Sequence, residues 1–199
     1  MISSPTQMEA PSLLGTQSTP DGSGLQIALL YSRQNGEVVD ALVRACRGEL
    51  LLRGVARQDI HEIQVNVPFE MPYVLKQLAQ ARQGQLDAVI CIGCLIRGRS
   101  LAFDFVAEAV TRALMKLSVH YKVPVLNGVL DCADMEQAKS CAGIEGGKVV
   151  ACNHGIEWAH SAIAMAHFNV NLKKKEAAKH VFPVPIDNQQ PHCQDKTKE

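Results

Sequence analysis

The 199-residue sequence predicts an α/β fold, a three-layer sandwich around a central four-stranded parallel sheet. Three observations predict it. Short apolar runs suited to buried strands alternate with segments whose apolar residues recur at helical spacing. The connections between them are short. Hydrophobic residues make up 47% of the chain and aromatic residues only 5%, so an aliphatic core of domain size is available.

Each element follows in order. Residues 25–31, Leu-Gln-Ile-Ala-Leu-Leu-Tyr, form the first expected strand. Val39, Leu42, Val43, Cys46 and Leu50 mark a helix that Gly54 stops. Residues 63–67 read as a second strand, closed by Pro68. A helix from about Pro72 carries Val74, Leu75, Leu78 and Ala81 on one face, and proline suits its first turn because no N–H is needed there. Residues 87–92 are the third strand, ending at Gly93. Val106, Ala109, Val110, Ala113, Leu114 and Leu117 then trace a helical stripe. Residues 123–126 are the fourth strand, leading into Gly128-Val129-Leu130. A short helix near 136–141 and a longer one near 156–168 complete the set, with Ile156, Ala159, Ile163 and Ala166 facing inward on the longer one.

Composition divides the chain into three parts. Residues 1–24, rich in Ser, Thr, Pro and Gly, read as a flexible arm. Residues 25–170 form one domain. From 171 the chain reads as a disordered polar tail, opened by Lys173-Lys174-Lys175 and marked by Pro183, Pro185 and Pro191. Twenty basic and 20 acidic residues balance to zero, which argues against nucleic acid or a membrane surface as partner and permits self-association. Seven cysteines in a chain of this size, with no secretory apolar segment at its start, point to reduced thiols and a cytoplasmic setting.

In a parallel α/β sheet, ligands sit beyond the carboxyl ends of the strands. The segments expected there are Ser32-Arg33-Gln34-Asn35, Pro68-Phe69-Glu70, Cys94-Leu95-Ile96-Arg97-Gly98-Arg99-Ser100 and Asn127-Gly128. Ser100, before the third helix, reads as an N-cap or as a hydroxyl facing an anion, and the two roles are compatible. Glu70 precedes a helix start, where its charge complements the dipole. Cys91-x-x-Cys94 invites a zinc or redox reading, but Cys91 lies inside an apolar strand and no second ligand pair follows, which favours buried cysteines acting as small hydrophobes. His154, in Cys152-Asn153-His154-Gly155, reads as a base, a ligand, a cap or a packing residue.

These segments together resemble the lumazine synthase family. Val67-Pro68-Phe69-Glu70-Met71-Pro72 is similar to its small-aromatic-Glu-Leu/Ile-Pro segment, and Ile92-Gly93-Cys94-Leu95-Ile96-Arg97-Gly98 to its Gly-x-Leu/Val-Ile-Arg/Lys-Gly segment. Phe103-Asp104-Phe105-Val106, Pro124 to Leu130 and Glu136-Gln137-Ala138 follow in the same order. Asn153-His154-Gly155-Ile156-Glu157-Trp158-Ala159 resembles the fungal form of the last segment. The resemblance implies a flavodoxin-like winding and condensation of 5-amino-6-ribitylaminouracil with 3,4-dihydroxy-2-butanone 4-phosphate in riboflavin biosynthesis. It implies no metal or organic cofactor. It also implies a homopentamer, in some members a larger shell, with pockets for a pyrimidine and a sugar phosphate between neighbours.

Position by position, the resemblance places Phe69 and Glu70 at the ribityl chain, Cys94, Leu95 and Ile96 beside the pyrimidine, and Arg99 and Ser100 at the phosphate. Four positions depart from it. Ala102 stands where the family has a histidine proton carrier, and Gln34 where an aromatic ring stacks on the pyrimidine. Asn127 replaces a phenylalanine and Cys141 a phosphate-binding arginine, both offered by the neighbouring subunit. Two alternatives to a working synthase follow from these departures: a paralogue that keeps the assembly as a scaffold or ligand binder, and an enzyme of altered substrates.

Overall fold

The computed structural model describes residues 21–145, 148–149 and 153–179. Most of the expected arm (1–20), the tail from 180, and Cys152 lie outside the described residues. Four strands, β1 (Ile27–Ser32), β2 (Ile60–Val65), β3 (Ala88–Ile96) and β4 (Val125–Cys132), form one sheet in the order β2-β1-β3-β4. Every pairing is parallel. Helices α1 (Gly36–Leu52), α2 (Met71–Ala81), α3 (Ala102–Tyr121), α4 (Met135–Cys141) and α5 (His154–Lys179) surround it, and a small antiparallel pair, β5 (Ile144–Glu145) and β6 (Lys148–Val149), follows α4. This is the expected three-layer α/β sandwich with flavodoxin-like strand order.

Side-chain alternation along β3 divides the core in two. Ala88, Ile90, Ile92 and Cys94 pack with α1, α4 and α5, while Val89, Cys91 and Leu95 pack with α2 and α3. Cys91 and Cys94 therefore lie on opposite faces of the sheet and cannot act as a pair.

Several expected boundaries move. β2 begins at Ile60, after a 3-10 turn at Arg57–Asp59. β3 does not end at Gly93 but runs on to Ile96, because β4 pairs with it as far as Ile96↔Cys132. The same pairing extends β4 to Cys132 and sets Asn127 opposite Cys91, inside the strand rather than at its carboxyl end. α5 passes the expected stop at Phe168 and continues to Lys179.

Two helix starts are fixed by polar side chains. Asp134 Oδ1 accepts from the Gln137 amide at 2.8 Å, and Gln137 Oε1 accepts from the Ala133 amide at 2.7 Å, so α4 begins in a reciprocal cap. Asn153 is 5% exposed. Its Nδ2 donates to the Ala142 carbonyl at 2.6 Å, and its Oδ1 accepts from the Gly155 amide at 2.8 Å, which ties the start of α5 to the end of α4.

An acidic hinge joins α1 to the sheet edge. Arg47 donates to Glu62 at 2.8 and 2.6 Å, and Arg57 also donates to Glu62. Burial pushes the Glu62 carboxyl up, but the two guanidiniums outweigh it and hold it below its ordinary value. Glu49 behaves alike: burial raises it, and hydrogen bonds from His160 and Arg53 bring it down further. A carboxylate depressed in the folded state stabilises above its unfolded pKa, and that stability is lost as pH falls through the folded value. Thermal stability is therefore expected to fall as pH drops below the ordinary carboxylate range. Glu62→Gln should lower the melting temperature at neutral pH and flatten this acid limb. An acid limb as steep in Glu62→Gln as in the unaltered protein would remove Glu62 from the account.

Candidate functional site

A cavity of about 350 Å³ opens beyond the carboxyl ends of β1 and β3, on the α2–α3 side of the sheet. This is the point where the strand order reverses, since β1 is flanked by β2 and by β3. Its lining comes from four places in the chain. Gln34 follows β1, and Leu95 and Ile96 end β3. Val67, Pro68 and Phe69 enter from the 3-10 turn after β2, and Gly98, Ser100, Ala102, Phe103 and Val106 from the start of α3.

Sequence dictates each approach. The Pro68–Glu70 turn descends onto β3 at Gly93, where a Cβ would stand 3.0 Å from the Pro68 ring and 3.3 Å from Met71 Cε. A side chain here would be tighter than ordinary packing, and the close contact sets the turn that carries Phe69, 62% exposed, to the cavity wall. Phe103 and Val106, one turn apart on α3, form the facing wall. Arg97 braces the Phe103 wall: it donates to Asp104 at 3.2 and 2.6 Å and lies 4.7 Å from the centre of the Phe103 ring.

The expected site residues separate into two groups. Gln34, Phe69, Leu95, Ile96 and Ser100 line the cavity, with Ala102 among them. Glu70 does not; its Oε2 accepts from the Asn66 amide at 2.7 Å and so holds the loop that carries Phe69. Arg99 is exposed and outside the lining. Cys94 is buried on the opposite face of β3, where its carbonyl accepts from Asn35 Nδ2 at 2.9 Å and burial pushes its thiol up to about 12. Asn127 lies within β4, its Oδ1 accepting from the Val129 amide at 3.2 Å, and Cys141 ends α4. Neither reaches this chain's own cavity.

Ser100 is not an N-cap, since Leu101 holds that position and no side chain caps α3. His154 has Glu157 at 3.8 Å and the Trp158 ring at 6.0 Å, away from the cavity. Gly98, in the expected strand-end segment, also lines the cavity, while Val67, Phe103 and Val106 are lining residues outside those segments. The signal for Phe103 and Val106 was their i, i+3 spacing at the first turn after a strand end.

Chemically, the cavity is an apolar cleft with two polar side chains, Gln34 and Ser100. Among the described residues that line it, none is ionisable at neutral pH. Aromatic and aliphatic walls suit a flat ring, and the amides at the uncapped start of α3 suit an anion. Nothing in the lining moves a proton. Among the described residues, no group of three His, Cys, Asp or Glu side chains has the arrangement to hold a metal ion.

Residues 24–169 match the family model for 6,7-dimethyl-8-ribityllumazine synthase. The chain is 33% identical over 142 residues to the protein of that name from Laribacter hongkongensis, covering 71% of this chain and 90% of that one. It is 37% identical over 126 residues to that of Verminephrobacter eiseniae, covering 62% of this chain and 79% of the other. Against that of Paracidovorax citrulli it is 36% identical over 124 residues, with the same shares covered.

Proposed function

Since the chain belongs to the 6,7-dimethyl-8-ribityllumazine synthase family, we propose that its cavity binds the two lumazine precursors and condenses them by placement alone, slowly. The observation that carries this reading is the lining itself. Its walls fit a pyrimidine and its helix start fits a phosphate, but position 102 holds a methyl group instead of a proton carrier. Holding two reactants in register still lowers the barrier, because the entropy of bringing them together is spent in binding. Losing a general acid–base typically costs about 10²–10⁴-fold in rate. The test is a steady-state assay with both precursors beside binding calorimetry. Measurable affinity with slow lumazine formation supports the reading.

The absence of an ionisable lining group also favours a second reading, a ligand-binding scaffold without chemistry. Affinity with no product above the uncatalysed background would decide for it.

The proposal includes self-association. On α3, Phe105, Met115 and Val119 are 68%, 65% and 71% exposed, and only Val110 and Leu114 are fully buried in this 20-residue helix. Large apolar side chains in such a row mark a contact surface. β2 and β4 are also edge strands. Light scattering is expected to give a mass of five chains or a multiple of five. A monomer at micromolar concentration would defeat this.

A further inference from the structure

Helix α1 starts against the usual rules. Asn35, its N-cap, has φ 55° and ψ 45°, the left-handed region that is costly for residues with a side chain and least so for asparagine and aspartate. An N-cap residue is ordinarily extended and turns its side chain onto the first amides of the helix. Asn35 does neither, and its side chain makes no cap hydrogen bond. Only its backbone carbonyl serves α1, accepting from the Val38 and Val39 amides at 3.0 and 3.1 Å. Among the described residues one other non-glycine residue has a positive φ, Lys122, and it ends a helix, where that conformation is frequent. The Asn35 carboxamide turns to the sheet instead, and its Nδ2 donates to the Cys94 carbonyl at 2.9 Å.

That carbonyl lies where the sheet opens. Pairing of β1 with β3 runs only to Tyr31↔Ile92, while β3 goes on pairing with β4 to Ile96↔Cys132. The Val89 and Arg97 amides donate toward β4, so by alternation along the strand Cys94 turns its carbonyl toward β1. By then β1 has given way to α1 and offers it no backbone donor. On its other side β1 stays paired for longer, since the Arg33 and Gln34 amides donate to the Val65 and Asn66 carbonyls at 2.8 and 3.0 Å. Gln34 is thus held to the end of β2 by its own amide and to β3 by the side chain of the next residue. The two sides joined by Asn35 both carry cavity wall, Gln34 on one and Leu95 and Ile96 on the other. We propose that Asn35 is a positioning residue whose carboxamide stands in for the missing backbone pair and fixes the width of the cleft between the ends of β1 and β3. Its left-handed conformation aims the side chain at β3, and the cost of that conformation is retained because the wall depends on it. The kinetic consequence rests on the reading of the cavity as the place where two precursors are held. Condensation by placement depends on register, so a displaced wall costs rate more than affinity.

Two variants of the full chain separate the bond from the fold. In Asn35→Gly the left-handed conformation carries no steric penalty and the donor is gone. Asn35→Asp also tolerates that conformation and keeps the size, but sets a carboxylate oxygen against the Cys94 carbonyl. Both are expected to melt cooperatively. Both should raise hydrogen–deuterium exchange at residues 33–36 and 94–98 while residues 38–52 of α1 stay as protected as in the unaltered chain. In the steady-state assay with both precursors, each variant should lose kcat by about 10²-fold with a much smaller rise in KM. Unchanged exchange at 94–98 in both variants overturns the proposal. So does loosening that spreads evenly through α1, which would reduce Asn35 to a part of the helix start. Equal kcat in the variants and the unaltered chain overturns it as well. If the unaltered chain binds neither precursor, the reading of the cavity fails, and the exchange pattern alone decides for or against Asn35.

Discussion

The paired exchange Ala102→His with Cys141→Arg is expected to raise lumazine formation by about 10²–10⁴-fold over the unaltered chain. Ala102 is the first residue of α3, is exposed, and lines the cavity. An imidazole there extends into open space and gives the lining its one group that titrates near neutral pH. Cys141 lies outside its own chain's cavity; in the pentamer proposed above, an arginine at that position would act on the cavity of an adjoining copy. It would supply a planar, bidentate charge for the phosphate, which a thiol cannot. The single exchanges are expected to do much less, because a proton carrier without a held substrate and a held substrate without a carrier are each incomplete. Two measurements bear on this. If the unaltered protein already turns over at an ordinary rate of about 1–10³ s⁻¹, the missing histidine is not limiting. If the double variant binds both precursors and is no faster, position 102 does not carry the proton.

The second large effect concerns stability, at Gly155. A Cβ built there would stand 2.3 Å from the Leu42 carbonyl oxygen, 2.9 Å from Asn153 Oδ1 and 3.1 Å from the Cys46 amide nitrogen. Two of these are backbone atoms of α1, inside a packed helix pair, and the third belongs to the buried asparagine that anchors α5. No flexible side chain can yield, so α5 must lift from α1. Gly155→Ala is expected to cost about 3 kcal/mol, which lowers the melting temperature by roughly 6–12 °C in a chain of this length. Gly48 is the control. It lies in α1 with nothing within 4 Å of its Cβ position, and alanine there should raise stability by about 0.5–1 kcal/mol. Gly155→Ala melting like the unaltered protein would show that the α1–α5 contact is looser than these distances require.

Much of this architecture is legible in the sequence, for identifiable reasons. β1 and β3 are apolar runs because both faces of a central parallel strand are buried, and α1 and α3 show clear helical stripes. The misplaced boundaries have physical causes too. Gly93 looks like a strand terminator, but its missing side chain serves the Pro68 contact while its backbone pairs with Val129. Asn127 looks like a turn residue, yet it lies inside β4, an edge strand with room for polar side chains. Lys173-Lys174-Lys175 reads as tail by charge, but lysine, glutamate and alanine are good helix formers and α5 runs through them. The site was legible as strand ends and less so as a cavity. Leu95 and Cys94 are neighbours in sequence but project to opposite faces, and only the register of β3 decides which one faces the cavity.

The contact at Gly93 has a consequence for affinity. Because Pro68 rests on bare backbone there, the wall bearing Phe69 is set by the sheet itself and not by a side chain free to rotate. Glu70 holds the same turn from behind through the Asn66 amide. A ligand therefore meets a preorganised surface and spends little of its binding energy on ordering it. A Cβ at position 93 would require the Pro68 ring or Met71 to give by a few tenths of an ångström, and the expected result is weaker binding of every ligand alike. Recognition in this cavity is thus tuned in two separable layers: how firmly anything is held is decided beneath the wall, and which molecule is held is decided by the side chains that face it.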